Sequence, residues 1–238
     1  MIYKKKLKGL TVFVKDNDSF YENVLQDFLS HKINIKKILC TKSETKVWLI
    51  ETERGLMVLK LFVPRQKRLE RFLKSFIKRD YYENLIYRTD RAINNGLDTI
   101  CDQYLLAEKK CLNYAYVYIM LIEYIEGTQF NFLKSIPDEL KLQVKNLMDE
   151  IHENNIVSTD AHCGNFMLTK DGIAKAYDLS GKSCNSIHRA KDRIDLERYF
   201  DIKNEIFDFG YYWIVYRRKF RLFTRKIKYK LGLSKKPA

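Results

Sequence analysis

The sequence is poor in glycine, proline and long apolar runs, and each shortage excludes a class of protein. With 9 Gly and 3 Pro in 238 residues and no repeat or low-complexity tract, long flexible linkers and disorder are not expected. The longest apolar runs, 114–122 and 211–216, are shorter than the roughly 20 residues that cross a bilayer as a helix. The basic N-terminus lacks the apolar segment of a signal peptide. We expect one large domain or two lobes, neither exported nor membrane-spanning.

Cysteine is also sparse. The 5 cysteines are odd in number and include no C-x-x-C pair, so neither a zinc site nor a disulfide framework is indicated, and reduced thiols in the cytoplasm are expected. His152 and His162 are possible metal ligands by residue type, but no Cys or carboxylate lies at zinc spacing from them. We expect His162 to brace a loop instead.

The segment 152–182 carries the residues on which the functional interpretation depends. Asp160 and Asn165 lie five residues apart in D-A-H-C-G-N, and Asp178 opens D-L-S-G thirteen residues after Asn165. Phosphoryl transfer uses such a set, because one carboxylate accepts the proton of a hydroxyl while an amide and a second carboxylate hold Mg²⁺ on ATP. Each residue alone is typical of a turn cap. Together they indicate a kinase site, with Asp160 as base and Asn165 and Asp178 as metal ligands.

The pattern of apolar residues predicts an α+β chain. Strands are predicted at 10–14, 33–41, 47–52, 56–63, 102–108 and 114–122, and helices at 19–30, at 69–95 with a break near 79, and after Pro137. Two further short strands, 166–168 and 173–177, are expected to form a hairpin. That hairpin would carry Asn165 and Asp178 at its two open ends.

Lys60 places one ammonium in the otherwise apolar strand M-V-L-K-L-F, like the lysine that binds nucleotide phosphates in kinase small lobes. A lysine on a solvated sheet face is the alternative. Glu83, on the following helix, is the candidate acid that would fix the Lys60 side chain, although an ordinary helix-surface charge fits equally well. The segment I-E-Y-I-E-G, with Glu123 and Ile125, is the candidate hinge whose backbone would meet adenine; a strand ending in a turn is the alternative.

These motifs resemble the protein-kinase-like superfamily and, more closely, the bacterial lipopolysaccharide core heptose(II) kinase family. The resemblance covers nearly the whole chain and rests on M-V-L-K-L-F, I-E-Y-I-E-G, the segment 152–168, Y-D-L-S-G-K and K-D-R-I-D-L-E-R-Y-F. It implies a two-lobed kinase-like fold, which we divide into a small antiparallel-sheet lobe (1–125) and a mainly helical lobe (126–216). It also implies ATP-dependent phosphorylation of a core heptose, with Mg²⁺, at the cytoplasmic face of the inner membrane.

The sequence departs from protein kinases in several places. S-T-D stands where a triplet with His or Arg is usual, D-L-S replaces D-F-G, and no A-P-E segment follows, so a protein substrate is not expected. The turn 41–46 contains no glycine. Lys42, Ser43 and Lys46 are the candidates to bind phosphate in place of a glycine-rich loop.

Positive charge is concentrated at the C-terminal end. The formal net charge is +14, and residues 217–238 contain Lys and Arg but no Asp or Glu. Aromatic residues interleave with these cations, as in a helix that lies on anionic lipid, so we expect this tail to bind the membrane surface. Arg189, Lys191 and Arg193 are candidate contacts for an anionic acceptor. Nucleic-acid binding, the alternative for the tail, is not expected because no nucleic-acid module accompanies it.

Two other functions stay open at this point. A kinase with this site could act on another hydroxylated small molecule, such as an aminoglycoside or choline. A catalytically silent kinase-like fold could instead bind the membrane surface without transferring phosphate.

Overall fold

The computed structural model describes residues 1–66, 68–76 and 80–230, which form two lobes. In chain order the N-terminal lobe contains β1 (Ile2–Leu7), β2 (Leu10–Lys15), α1 (Ser19–Leu29), β3 (Asn34–Thr41), β4 (Thr45–Thr52), β5 (Gly55–Phe62), α2 (Arg68–Ser75), α3 (Tyr81–Asn94), β6 (Gln103–Cys111) and β7 (Tyr114–Glu123). The C-terminal lobe contains β8 (Gly127–Gln129), α4 (Asp138–Glu153), β9 (Phe166–Thr169), β10 (Ala174–Ala176), α5 (Ser186–Phe200) and α6 (Phe209–Lys230). The predicted α+β, two-lobed protein-kinase-like fold is confirmed.

The N-terminal lobe is built on one seven-stranded antiparallel sheet in the order β1-β2-β6-β7-β5-β4-β3. Side chains alternate between the two faces of a strand, so β2 contributes to two cores. Val12 and Val14 pack on the face that α1 covers, with Val24 and Leu25. Phe13 packs on the opposite face, where α3 lies. The sheet is therefore covered by a helix on each side along its centre.

The C-terminal lobe has its own apolar core. The rings of Phe130, Phe166 and Phe200 contact one another edge to face, with centroids 5.3 to 6.3 Å apart. The apolar stripe of α4, including Met148 and Ile151, packs against them. The predicted hairpin of β9 and β10 is confirmed, and Phe166 anchors it in this core. The hairpin holds Asn165 at one open end and Asp178 just beyond the other.

The two lobes are joined by a short covalent link and by hydrogen bonds across the cleft. Residues 124–126 connect β7 to β8. The amide of Cys101 donates to the carbonyl of Ala176 at 2.9 Å, and the amide of Ala176 donates to the carbonyl of Thr99 at 2.9 Å. These bonds fix β10, and with it Asp178, against the segment that joins α3 to β6.

The structure adds elements that the sequence pattern did not predict. β1 extends the sheet beyond β2, and α5 follows the segment that begins with Asp178. The predicted long helix is two helices, α2 and α3, while the residues 77–79 around the predicted break lie outside the described residues. α6 continues through the predicted 216/217 boundary, and the last eight residues of the predicted tail are outside the described part of the chain.

Candidate active site

The loop before β9 presents Asp160 to the cleft and holds Asn165 beside it. The Asp160 side chain is 66% exposed. The side-chain Nδ2 of Asn165 donates to the backbone carbonyl of Asp160 at 2.9 Å, and the side-chain Oδ1 of Asn165 can still act as an acceptor. The backbone amide of Tyr177 donates to the backbone carbonyl of Asn165 at 3.0 Å, so the strand end that leads to Asp178 is tied to the same loop. Asp160, Asn165 and Asp178 thus meet at one place.

His162 braces this loop, as predicted. Its Nδ1 accepts from the amide of Gly164 at 2.9 Å, and its Nε2 lies 3.7 Å from Oδ2 of Asp160. An accepting Nδ1 places the proton of a neutral imidazole on Nε2, on the side of Asp160. The imidazole therefore faces the candidate base with an N–H group.

Asp192 of α5 supports the loop from within the core. Its carboxylate is fully buried and accepts from the amides of Ser158 and Thr159, and it contacts Nε2 of His152 at 3.1 Å. A buried carboxylate with several donors fixes the backbone that carries them, because each lost bond would leave a buried charge or amide unsatisfied. The position of Asp160 depends on this network.

Lys60 of β5 reaches across the cleft to Asp178. Lys60 Nζ lies 2.7 Å from Oδ1 of Asp178, and the two side chains are 18% and 53% exposed. Burial, the largest single effect, lowers the pKa of Lys60, but the charge and hydrogen bond of Asp178 together with the nearby Tyr82 outweigh it and hold this pKa above its ordinary value. Asp178 adopts a left-handed backbone conformation, with φ of 56°, that is uncommon for a residue other than glycine and clusters at functional sites.

The structure does not bring Glu83 to Lys60, which corrects the predicted pairing. The Glu83 carboxylate contacts Nζ of Lys4 at 3.4 Å and Nζ of Lys110 at 3.5 Å. Lys4 belongs to β1, the strand that the sequence pattern missed, and β1 brings this extra cation against the first turn of α3. Glu83 therefore serves the packing of α3 on the sheet, whereas Asp178 takes the place beside Lys60.

The predicted hinge lies between the lobes, and its side chains are engaged in bridging them. Glu123, at the end of β7, contacts Nζ of Lys175 on β10 at 2.7 Å and accepts from the amide of Asp102 at 3.1 Å. Ile125 is buried. The backbone amide of Glu123 donates to the carbonyl of Asp102 at 2.9 Å, so the carbonyl of Glu123 and the backbone of 124–125 are the parts of the segment that can meet a ligand.

The glycine-free turn between β3 and β4 is folded back on the irregular segment that follows β5. The carboxylate of Glu44 accepts from the amides of Arg65 and Gln66 at 2.8 and 2.7 Å. Ser43 and Lys46 border a small cavity of about 130 Å³ beside this contact. The role predicted for Lys42, Ser43 and Lys46 in binding phosphate stays a prediction.

A cavity of about 480 Å³ opens beside Asp160. Its described lining includes Asp160, Asn165 and Asp178, but neither Lys60 nor any residue of 123–127. The other walls come from α2, the start of α3, the β6–β7 turn and the segment that ends at Lys182. The cavity therefore extends from the three site residues away from the hinge.

The basic residues predicted to contact the acceptor are engaged elsewhere. Arg189 donates to the carbonyl of His152 at 3.2 Å, and Arg193 contacts Asp208 at 2.9 Å. Lys191 contacts Asp195 at 2.8 Å and donates to the carbonyl of Thr159. Lys182, which sequence reasoning did not single out, lines the cavity instead. Its position four residues after Asp178 was the signal available in the sequence.

Asn165 and Asp178 offer the donor types that Mg²⁺ accepts, one amide oxygen and one carboxylate. Within the described ranges, no group of three or more His, Cys, Asp and Glu side chains is suited to a metal ion. The two predicted ligands, Asn165 and Asp178, do not need a third side chain, because in phosphoryl transfer the phosphates and water complete the coordination of the ion. The residues present fit a Mg²⁺ ion that arrives with a nucleotide.

Comparison with known proteins identifies relatives along nearly the whole chain. The family model described as lipopolysaccharide core biosynthesis protein (WaaY) matches residues 1–230. The lipopolysaccharide core heptose(II) kinase WaaY of Escherichia coli strain K12 is 49% identical over 228 residues, which cover 96% of this chain and 98% of that protein. A second protein of that name from Escherichia coli is 46% identical over 228 residues, with coverage of 96% and 99%. On this match of sequence and length, the chain belongs to the WaaY family of lipopolysaccharide core biosynthesis proteins.

Proposed function

We propose that this protein transfers the γ-phosphoryl group of ATP to a hydroxyl of a heptose, specifically the second heptose, in the lipopolysaccharide core. The chemistry is supported by the meeting of Asp160, Asn165 and Asp178 at one end of a cleft that Lys60 also reaches. The acceptor is supported by the names of two relatives that align over almost their full length. The convergence of these four side chains is the observation that carries the proposal.

Asp160 orients the sugar hydroxyl and accepts its proton as the oxygen attacks phosphorus. This role requires a carboxylate that is accessible to the acceptor and held by a rigid backbone, and the exposed Asp160 side chain on the loop braced by Asp192 meets both conditions. His162 directs an N–H toward the same carboxylate and limits its rotation. Positioning of this kind supplies much of the rate in phosphoryl transfer, because the protein does little covalent chemistry.

Lys60 binds the phosphates of ATP, and the backbone of 123–125 binds adenine. The nucleotide competes with Asp178 for Lys60, since this carboxylate holds the ammonium at 2.7 Å. Asn165 and Asp178 would hold Mg²⁺, which would supply positive charge against the phosphoryl oxygens. Lys60, released from Asp178, would then bind the phosphates.

The test is transfer of labelled phosphate from ATP to lipopolysaccharide truncated after the second heptose. We compare the native chain with Asp160→Asn and with Asp149→Asn, which alters an exposed carboxylate on α4. We expect transfer by the native chain and the Asp149 variant, and a loss of at least about a hundredfold for Asp160→Asn. Transfer to aminoglycosides or choline instead would point to another small-molecule kinase, and ATP binding with no transfer to any acceptor would point to a silent binding protein.

We further propose that α6 holds the enzyme on the anionic cytoplasmic face of the inner membrane, where its acceptor is anchored. Phe209, Trp213, Tyr216, Phe220 and Phe223 are exposed on this helix, and no acidic residue lies between 209 and 230. Such a helix lies in the interface rather than crossing it. In the described ranges, no helix combines the length and the apolar character needed to cross a membrane.

A further inference from the structure

The cavity beside Asp160 contains an ammonium group, that of Lys182, which has no ion-pair partner within 4 Å among the described residues. Lys182 is the only Lys or Arg among its described lining residues. Its Nζ donates to the hydroxyl of Thr159 at 3.3 Å, and it forms no ion pair with any described residue. Thr159 directly precedes Asp160 in the chain. The hydrogen bond therefore holds the ammonium close to the candidate base.

The position of Lys182 separates it from the nucleotide side of the cleft. Lys60 and the hinge lie outside the cavity lining, whereas Tyr81, Asn113 and Tyr114 form its outer wall. Tyrosine rings beside polar groups are typical of surfaces that bind sugars and other partly apolar ligands. The cavity thus reaches Asp160 from the side on which an acceptor can approach while ATP occupies the hinge side.

The electrostatics of Lys182 favour an incoming anion. Burial lowers the pKa of its ammonium below the ordinary value, and the nearby charge of Lys191 lowers it further, while Asp192 and Asp160 oppose this. An anion bound at Nζ would relieve this destabilisation of the charged form. Among the described lining residues the other charged groups are carboxylates, so Lys182 is the described lining group that can attract an anionic acceptor.

We propose that Lys182 is the acceptor-recognition residue, which binds a phosphate or carboxylate group carried by the sugar acceptor and so places its hydroxyl at Asp160. This inference rests on the proposed kinase function and adds the chemical class of the acceptor, an anionic sugar. A neutral sugar could only accept hydrogen bonds from this ammonium, without the added attraction between opposite charges. Lys182 is a specificity determinant, and the proton transfer stays with Asp160.

The first arm of the test compares the native chain with Lys182→Met, Lys182→Arg and Lys145→Met. Lys145 is an exposed lysine of α4 paired with Asp149 and serves as the matched control. For Lys182→Met we expect the KM for truncated lipopolysaccharide to rise by about tenfold to a hundredfold, the range of a lost hydrogen bond between charged groups. The KM for ATP should stay within about twofold, and Lys182→Arg should retain most of the affinity.

The second arm changes the acceptor. Core oligosaccharide is used intact, with its phosphate esters removed, or with its carboxylates reduced to alcohols. The native chain should lose affinity for only one of the modified acceptors, which identifies the bound group, and Lys182→Met should show no loss with that acceptor. Equal losses for the native chain and the variant would overturn the proposal. A lower kcat with an unchanged acceptor KM would overturn it as well, because Lys182 would then serve the transferred phosphoryl group.

Binding of the core oligosaccharide without ATP, measured by calorimetric titration, separates this proposal from the kinase proposal. If the native chain binds the oligosaccharide but transfers no phosphate, the kinase function fails, and the affinities of the Lys182 variants still decide the role of this residue. If the native chain does not bind the oligosaccharide, both proposals fail.

Discussion

Asp192 and Thr159 form the contact that sets the shape of the loop before Asp160. The buried carboxylate of Asp192 accepts from the amide of Thr159 at 2.5 Å and from that of Ser158 at 3.0 Å. Thr159 has a left-handed backbone with φ of 60°, which is costly for a β-branched residue. The hydrogen bonds offset that cost, so the orientation of Asp160 is maintained from α5, more than thirty positions later in the chain.

Replacing Asp192 with Asn should therefore affect stability and catalysis together. Asn has one acceptor oxygen where the carboxylate has two, so one loop amide is left facing an N–H group. We expect the free energy of unfolding, measured with urea, to fall by about 2–3 kcal/mol, and kcat to fall at least about tenfold. Asp149→Asn, on the surface of α4, should change stability by less than about 0.5 kcal/mol. An unchanged kcat in a destabilised Asp192→Asn protein would show that the loop keeps its shape without this contact.

Gly181 provides the second prediction, because the segment after Asp178 touches α3 without space for a side chain. A Cβ at Gly181 would lie 1.7 Å from the carbonyl oxygen of Tyr81 and 3.0 Å from the amide of Leu85. Gly181→Ala must push the segment away from α3 and displace Asp178 and Lys182, which flank it. We expect a loss of about 2 kcal/mol or more in unfolding free energy and a loss of phosphate transfer.

Gly172 supplies the control for that substitution. It lies in the turn between β9 and β10 with open space around its Cα and φ of +78°. Asn tolerates this conformation better than other residues. Gly172→Asn should therefore cost less than about 1 kcal/mol and leave transfer intact. If Gly181→Ala is as mild as Gly172→Asn, the close approach to Tyr81 is not a constraint on the native protein.

The sequence predicted the parts of this site that are carried by local patterns. A turn between two short apolar runs identified the hairpin of β9 and β10, and hence the placement of Asn165 and Asp178. The ammonium in an apolar strand identified Lys60, which reaches Asp178. Such signals are local because strand alternation and turn chemistry are determined by neighbouring residues.

The predictions that failed or were missing depend on distant residues. The partner of Glu83 was mistaken because β1, which is rich in lysine and mostly exposed or half-buried, gave no apolar signal, yet it brings Lys4 to α3. The role of Asp192 was not recognised because an Asp in a helix gives no sign that its carboxylate is buried. The role of Lys182 could not be predicted, because only the structure places it in the wall beside Asp160, with no ion-pair partner in the described part of the chain.

Glu108 makes stability depend on pH. Burial and the nearby charge of Asp80 raise its pKa to about 7, from an ordinary value of 4.5, despite the ion pair with Lys110 at 2.6 Å. At pH values between about 4.5 and about 7, Glu108 therefore keeps its proton in the folded state and has released it in the unfolded state. The unfolding free energy should therefore fall as pH rises from about 4.5 to about 7, by no more than about 3 kcal/mol, and level off above.

Glu108→Gln tests this assignment, because it keeps the side-chain shape and removes the titration. Urea unfolding at pH 5, 6, 7 and 8 should show a smaller decline for Glu108→Gln than for the native chain. Glu126→Gln, at an exposed carboxylate, should retain the native slope. A native slope in the Glu108 variant would mean that another group causes the pH dependence.

Trp213 can report whether α6 contacts lipid. The chain has 2 Trp, and replacing the other, Trp48, with Phe leaves Trp213 as the only indole. The Trp213 side chain is exposed and stacked on Phe209. Anionic vesicles should shift its emission to shorter wavelength, since the ring leaves water for the interface, and zwitterionic vesicles should not. High salt should reverse the shift by screening the attraction between the cations of α6 and the lipid.

The effect of the α6 charges on membrane binding can be distinguished from the effect of the protein's net charge. Arg217, Arg218 and Arg221 are exposed on α6, and Lys32, Lys36 and Lys37 are exposed in and beside the edge strand β3 of the N-terminal lobe. Changing either set to Gln removes three positive charges. At roughly 1 kcal/mol per cation near an anionic surface, the α6 variant should bind vesicles about a hundredfold more weakly, while the β3 variant keeps nearly native affinity. Equal losses in both variants would indicate attraction by total charge, and the assignment of α6 as the membrane-binding element would then be wrong.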